Sequence, residues 1–111
     1  VASKQETVDF IAEQVQAAGD IRSRKMFGEY ALYCDEKVVA LVCDDQLFVK
    51  PTSISRDFLD ETHLAPPYPG AKDYFLVPGD KLEDSAWLTD FIRRVAAELP
   101  VPKPKKKKQP R

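Results

Sequence analysis

Apolar residues recur along this chain with two periods, and the switches between them mark out the elements. Val8, Ile11, Val15 and Ala18 fall at helical spacing, with Glu6, Asp9, Glu13 and Gln14 on the other faces. Ahead of them Ser3-Lys4-Gln5-Glu6 has the form of a capping box, the Ser3 hydroxyl accepting from the Glu6 amide while Glu6 reaches back. Gly19 supplies a stop. The pattern predicts a helix over residues 4–18 with one stripe against a sheet.

From Ile21 to Lys50 the spacing becomes strand-like. Tyr30–Cys34, Val38–Cys43 and Leu47–Val49 are short β-prone runs separated by Asp35-Glu36-Lys37 and Asp44-Asp45-Gln46. Three-residue polar breaks of this kind predict an antiparallel meander. Arg22–Phe27 is expected to be extended too, bending at Gly28. The run Val38–Cys43 is apolar at odd and even positions alike, so both of its faces should be covered.

Pro51 closes the third run, and Thr52 or Ser53 can cap a second helix reaching His63, with Ile54, Phe58 and Leu59 inward. Leu64–Gly70 carries three prolines, which remove donors and fix φ, so it suits neither regular helix nor central strand. Tyr74–Val77 reads as a further strand ended by Pro78-Gly79. Trp87, Leu88, Phe91, Ile92, Val95 and Leu99 predict a last helix that Asp84 or Ser85 begins and Pro100 ends. Segregated helices and antiparallel strands give an α+β fold, an antiparallel sheet of a meander plus one or two later strands with helices packed on one face.

Composition changes this picture in one respect. The 111 residues suit one domain, and 43% apolar content is enough for a core. The formal charge of −1, however, hides a division. Residues 100–111 hold six of the 17 cations and no acid, which leaves eleven cations against 18 acids, a net of −7, in residues 1–99. The expected organisation is a domain over 1–99 and a disordered Lys/Pro-rich basic tail over 100–111. No stretch approaches the roughly 20 apolar residues of a membrane span, and the N-terminus lacks a basic-then-apolar signal, so a cytoplasmic location and no membrane partner are expected.

Candidate chemistry is sparse. Cys34 and Cys43 are too few for a disulfide framework. On a hairpin about Glu36 they would also lie more than about 10 Å apart, beyond disulfide reach. His63, the one histidine, sits beside Asp60 and Glu61, where a solvated or capping role is the plain reading. A zinc site would lack ligands, and Cys34 with His63 would lack an orienting group and an oxyanion pocket. Asp44-Asp45 are turn residues, and no glycine-rich phosphate loop is present. No catalytic residue, metal or cofactor is expected. Ligand in a pocket lined by Tyr68, Tyr74 and Arg24 would be the sign of an enzyme. Arg22-Ser23-Arg24-Lys25-Met26-Phe27 places Arg22, Arg24 and Met26 on one face. Basic residues interleaved with aromatics suit phosphate and base contact; an edge strand protected from aggregation by its cations is the simpler reading.

Residues 24–50 resemble a known family. Arg24-Lys25-Met26-Phe27-Gly28-Glu29-Tyr30-Ala31-Leu32-Tyr33, then Val39–Val42, then Leu47-Phe48-Val49-Lys50, is similar to the N-terminal domain of the TfoX/Sxy competence regulators, whose opening is close to R-K-M-F-G-G-Y-G-L-Y and is followed by a strand, a turn and L-Y-L-K. Pro67-Tyr68-Pro69-Gly70 and Tyr74–Pro78 resemble that family's Y-P-G loop and its aromatic strand ending in proline. Glu29 and Ala31 stand where its opening has glycines, and the tail stands where full-length regulators carry a helical second domain. The resemblance implies a bacterial domain with a secretion-chaperone-like fold (helix, three strands, helix, two strands, helix) and a part in transcriptional regulation of DNA uptake.

Two functions follow as expectations. The first is a non-enzymatic regulatory or adaptor module acting on an unidentified protein partner, with a homodimer formed over the helix-free side of the sheet. The second is a nucleic-acid-binding accessory protein whose tail makes weak, non-specific, salt-sensitive contacts. The candidate interaction residues are Arg22, Arg24, Lys25, Phe27, Tyr30, Tyr68, Lys105, Lys106, Lys107 and Lys108.

Overall fold

The computed structural model describes residues 4–26 and 29–100. Ser3, Phe27, the expected bend at Gly28 and the tail from Val101 lie outside them. The chain runs α1 (Gln5–Gln14), a 3-10 turn (Gln16–Ala18), β1 (Ile21–Met26), β2 (Glu29–Cys34), β3 (Lys37–Cys43), β4 (Gln46–Val49), α2 (Ser55–Phe58), a 3-10 turn (Glu61–His63), β5 (Leu64–Ala65), β6 (Tyr74–Leu76), α3 (Gly79–Leu82) and α4 (Ser85–Glu98). The strands form one antiparallel sheet in the order β1-β2-β3-β4-β6-β5. The fold is α+β, as the spacing predicts, with a four-stranded meander because the basic stretch Ile21–Met26 is its first strand.

The helices cover one face. α1 buries Val8 and Ile11, and α4 buries Leu88, Phe91, Ile92, Val95 and Ala96, both at helical spacing. They pack on Leu32, Cys34, Ala40, Val42, Leu47, Val49 and Phe75 of the sheet. Phe58 stacks on Phe91 at 4.7 Å between centroids, with Trp87 edge-on to both, and so seals the end of this layer.

Four local expectations change. The α-helix of α1 stops at Gln14 and its N-cap is Lys4, which offers no capping side chain. Asp45 does the work instead, its carboxylate accepting from the Lys4 N–H at 2.7 Å and the Thr7 hydroxyl at 2.9 Å. At the other end, Ser85 and Thr89 hydroxyls donate to the Gln14 carbonyl (2.7 and 2.9 Å). The second change is in the turns, which have two residues and not three. Asp35-Glu36 (φ 52°, 69°) and Asp44-Asp45 (φ 54°, 58°) are left-handed at both positions, as a tight hairpin requires. Asp is among the few side chains that tolerate this region.

The third change is a β-bulge. Leu32 pairs with Ala40 but Tyr33 pairs with Val38, which leaves Val39 as an extra residue. Val39 and Ala40 are both fully buried in the helix-side core. Part of the unbroken apolar run in β3 therefore reflects the bulge and not two equally covered faces. Fourth, the expected helix over 52–63 is two short turns separated by extended Leu59, which points into the core. Asp60 restarts the chain by accepting from the Thr62 N–H at 3.0 Å. Pro66 to Pro69 stay out of the sheet, as proline demands.

Candidate functional site on the helix-free face

Strand alternation puts Arg22, Arg24 and Met26 of β1, Glu29, Ala31 and Tyr33 of β2, Val38, Leu41 and Cys43 of β3, Phe48 of β4 and Tyr74 and Leu76 of β6 on the face away from the helices. The proline-rich loop after β5 folds over one side of this face. Its Pro67 is buried, and Phe48 beneath is 4% exposed although it lies on the face away from the described helices.

Beside that loop lies a concavity of about 670 Å³ lined by Met26, Glu29, Tyr30, Leu41, Cys43, Tyr68 and Tyr74. This volume lies in the range of small-molecule and peptide-anchor clefts. Met26 and Tyr68 at its rim are two of the three exposed large apolar side chains among the described residues, at 39% and 53%. A second recess of about 420 Å³ separates Phe48, Glu29, Asp44 and Gln46 from Pro66–Pro69. A third of about 340 Å³ lies between Arg22, Arg24, Tyr33 and Glu36.

The lining of the concavity is apolar and aromatic apart from the Glu29 carboxylate. Burial pushes the Cys43 thiol up to about 11, and the Glu29 carboxylate adds to the effect. Burial, then the neighbouring Tyr68 and Cys43, raise the Tyr74 phenol above its usual range. A thiol held in its protonated form is a poor nucleophile. Cys34 lies on the opposite face and donates to the Ala18 carbonyl at 3.7 Å; burial, then Asp35, raise it too. The two cysteines are free and on opposite sides of the sheet, a firmer reason than distance along a hairpin for their not pairing.

His63 Nδ1 lies 3.2 Å from the Asp60 carboxylate, and its other partner is Thr62. Hydrogen bonds from the Thr62 hydroxyl and N–H hold Asp60 below the usual carboxylate range. Thus His63 belongs to a capped turn. Among the described residues no group of three or more His, Cys, Asp or Glu could hold a metal ion. No helix of the described residues is long and apolar enough to cross a membrane.

The candidate interaction residues separate in space. Arg22, Arg24 and Lys25 are exposed on β1, and Arg22 reaches Asp20 at 3.2 Å. Tyr68 stands at the rim of the concavity. Tyr30 shares the lining of the concavity with Tyr68, but it is 7% exposed, packs in the core cluster and donates its hydroxyl to the Gln5 side chain at 3.0 Å. Phe27 and Lys105–Lys108 lie outside the described residues. Tyr68 and Tyr74 do share a recess, but Arg24 is not part of its lining. Met26, Glu29, Leu41 and Cys43 were not in the expected set; the alternation of Leu41 and Cys43 in β3 is the signal that could have found two of them.

A family model described as the TfoX N-terminal domain matches residues 13–99. A relative from Spirochaeta aurantia, described as an uncharacterized 12.7 kDa protein in the trpE 5′ region, is 46% identical over 99 residues, covering 89% of this chain and 85% of the relative. The match takes in every strand, the proline-rich loop and α4.

Proposed function

The chain belongs to the TfoX N-terminal domain family, and from that premise we propose that it is a regulatory or adaptor module that acts by protein contact through the helix-free face of its sheet. The regulation of competence that the family implies is the process we assign to it. The observation that carries this reading is the largely apolar concavity with Met26 and Tyr68 exposed at its rim. Exposed aromatic and thioether side chains around an apolar floor are the usual make-up of a protein-contact surface. The high pKa of Cys43 speaks against nucleophilic chemistry there.

Affinity capture from lysate of the native cell, with and without nuclease, tests this directly. A protein retained by the wild type, insensitive to nuclease and lost with Tyr68→Ala and Met26→Glu, is the expected result. Retention that nuclease abolishes would favour the nucleic-acid reading. Retention that both substitutions leave intact would move the contact off this face. A second copy is one candidate for covering the concavity. A scattering mass equal to one chain at micromolar concentration would remove that candidate.

A further inference from the structure

Among the described residues β1 is an edge of the sheet, paired with β2 and with no other strand. Which of its backbone groups remain available follows from the hairpin beside it. A two-residue turn closes on a pair of residues that exchange both hydrogen bonds, here Cys34 and Lys37. Cys34, Leu32 and Tyr30 therefore bond toward β3, while Tyr33, Ala31 and Glu29 bond toward β1. Their partners Arg22, Arg24 and Met26 turn N–H and C=O inward. The Asp35 N–H donating to the Asp20 carbonyl at 3.0 Å, one step along the same ladder, agrees. Ile21, Ser23 and Lys25 turn their backbone groups outward.

The charged side chains of β1 itself are all cations, with Asp20 and Glu36 the acids beside Arg22 and Arg24. Arg22 and Arg24 stand on the helix-free side and Lys25 on the other, all exposed. Arg24 and Lys25 make no ion pair among the described residues, and Arg22 shares Asp20 with both side chains largely in solvent. Three cations in four positions stand out on residues 1–99, whose net charge is −7. Charge also decides among occupants. A second copy of β1 added antiparallel and centred on Ser23 would set Arg22 against Arg24, a like-charge pair across strands. The chain's own basic tail is repelled in the same way.

We propose that β1 accepts an extended acidic segment of a partner protein as an added strand. The outward groups of Ser23 and Lys25 would supply the main-chain hydrogen bonds, and acidic side chains opposite Arg22 and Arg24 would set register. This rests on the reading of the chain as a protein-contact module but uses a different surface from the concavity, and the test keeps the two apart.

The probe is a labelled short peptide of alternating Glu and Val, read by fluorescence anisotropy on the full chain. An alternating Lys and Val peptide and a single-stranded DNA oligonucleotide run in parallel. The Glu peptide is expected to bind, the Lys peptide not. Paired Arg24→Glu and Lys25→Glu substitutions should weaken binding by about tenfold or more, and added salt should weaken it as well. Methylating alternate backbone nitrogens of the peptide should weaken binding by about tenfold for one of the two alternating sets and little for the other, because only one edge of the added strand faces β1. Ser23→Pro removes an outward donor while the inward ladder stays and should match the damaging set. Tyr68→Ala should leave peptide binding unchanged. Equal binding of both methylated peptides would reduce the contact to charge alone and overturn strand addition. So would no binding of the Glu peptide, or DNA binding in its place; neither touches the concavity.

Discussion

The two faces of the sheet are made by the same strands yet treat their side chains differently. On the helix-covered face Leu32, Val42, Leu47, Val49 and Phe75 are fully buried beneath α1 and α4. On the other face Ala31, Cys43 and Phe48 are nearly as buried, but a single loop and their strand neighbours cover them, while Tyr33, Leu41, Tyr74 and Leu76 are only partly buried. The contrast teaches that burial here has two sources. One is packing between layers, which stabilises the fold. The other is a thin cover of proline loop and rims, which leaves an apolar surface open to something else.

Substitutions should separate the two sources. The largest effect is expected at Phe91, fully buried and stacked on Phe58: Phe91→Ala should destabilise by about 3–5 kcal/mol in a denaturant titration. A loss as small as that of a surface change would break the comparison. Next is Gly19, where a Cβ would meet the Asp35 carboxylate and the Cys34 sulfur at 2.9 Å. The carboxylate is held by the Asp20 N–H and Cys34 by the Ala18 carbonyl, so neither yields freely. Gly19→Ala should lose about 1–3 kcal/mol in the same titration.

Titration sharpens the comparison on the other face. Because the Cys43 thiol is raised from 9.0 to about 11 in the folded chain, the unfolded chain loses its proton first as pH rises. Stability is then unaffected below 9.0 and declines as pH climbs towards about 11. Thermal melts across that window should show the decline, and Cys43→Ser should reduce it. Alkylation of Cys43 at neutral pH should be slow against a free peptide thiol. The smallest effect is expected at Tyr68, half of whose surface is already in solvent. Tyr68→Ala should change stability by no more than about 0.5 kcal/mol while abolishing capture of the partner. A large loss of stability there would make the rim part of the fold and not a contact surface.

How far the sequence reaches depends on whether the determining groups are neighbours in the chain. α4 is readable because its stripe and its cap are local, Asp84 accepting from the Trp87 N–H at 3.1 Å. The start of α1 is not, because its cap comes from Asp45, 41 residues away. The expected Ser3 cap lies outside the described residues, and the carboxylate seen to tie the helix start is remote in sequence. The helix expected over 52–63 breaks because Leu59 must reach the core and Asp60 offers a fresh cap, a decision made by packing. The bulge at Val39 leaves no mark in a pattern already apolar at every position. The family blocks around Arg24 and Pro67 pointed to the right domain, and the positions that carry the resemblance also flank the concavity. The concavity itself needs Tyr68 from a loop to meet Leu41 and Cys43 of one strand and Tyr74 of another, a convergence that no local pattern records.

The fastening of α1 by later residues has a consequence for synthesis. Translation delivers this helix before the sheet, yet the carboxylate that ties its beginning sits on Asp45 and the hydroxyls that close its end sit on Ser85 and Thr89. A nascent chain halted before the second hairpin turn therefore lacks both clasps, and one halted before α4 lacks the second. The helix is thus made before the groups that complete it, and during elongation its apolar stripe has no docking surface until the sheet beneath it has left the ribosome.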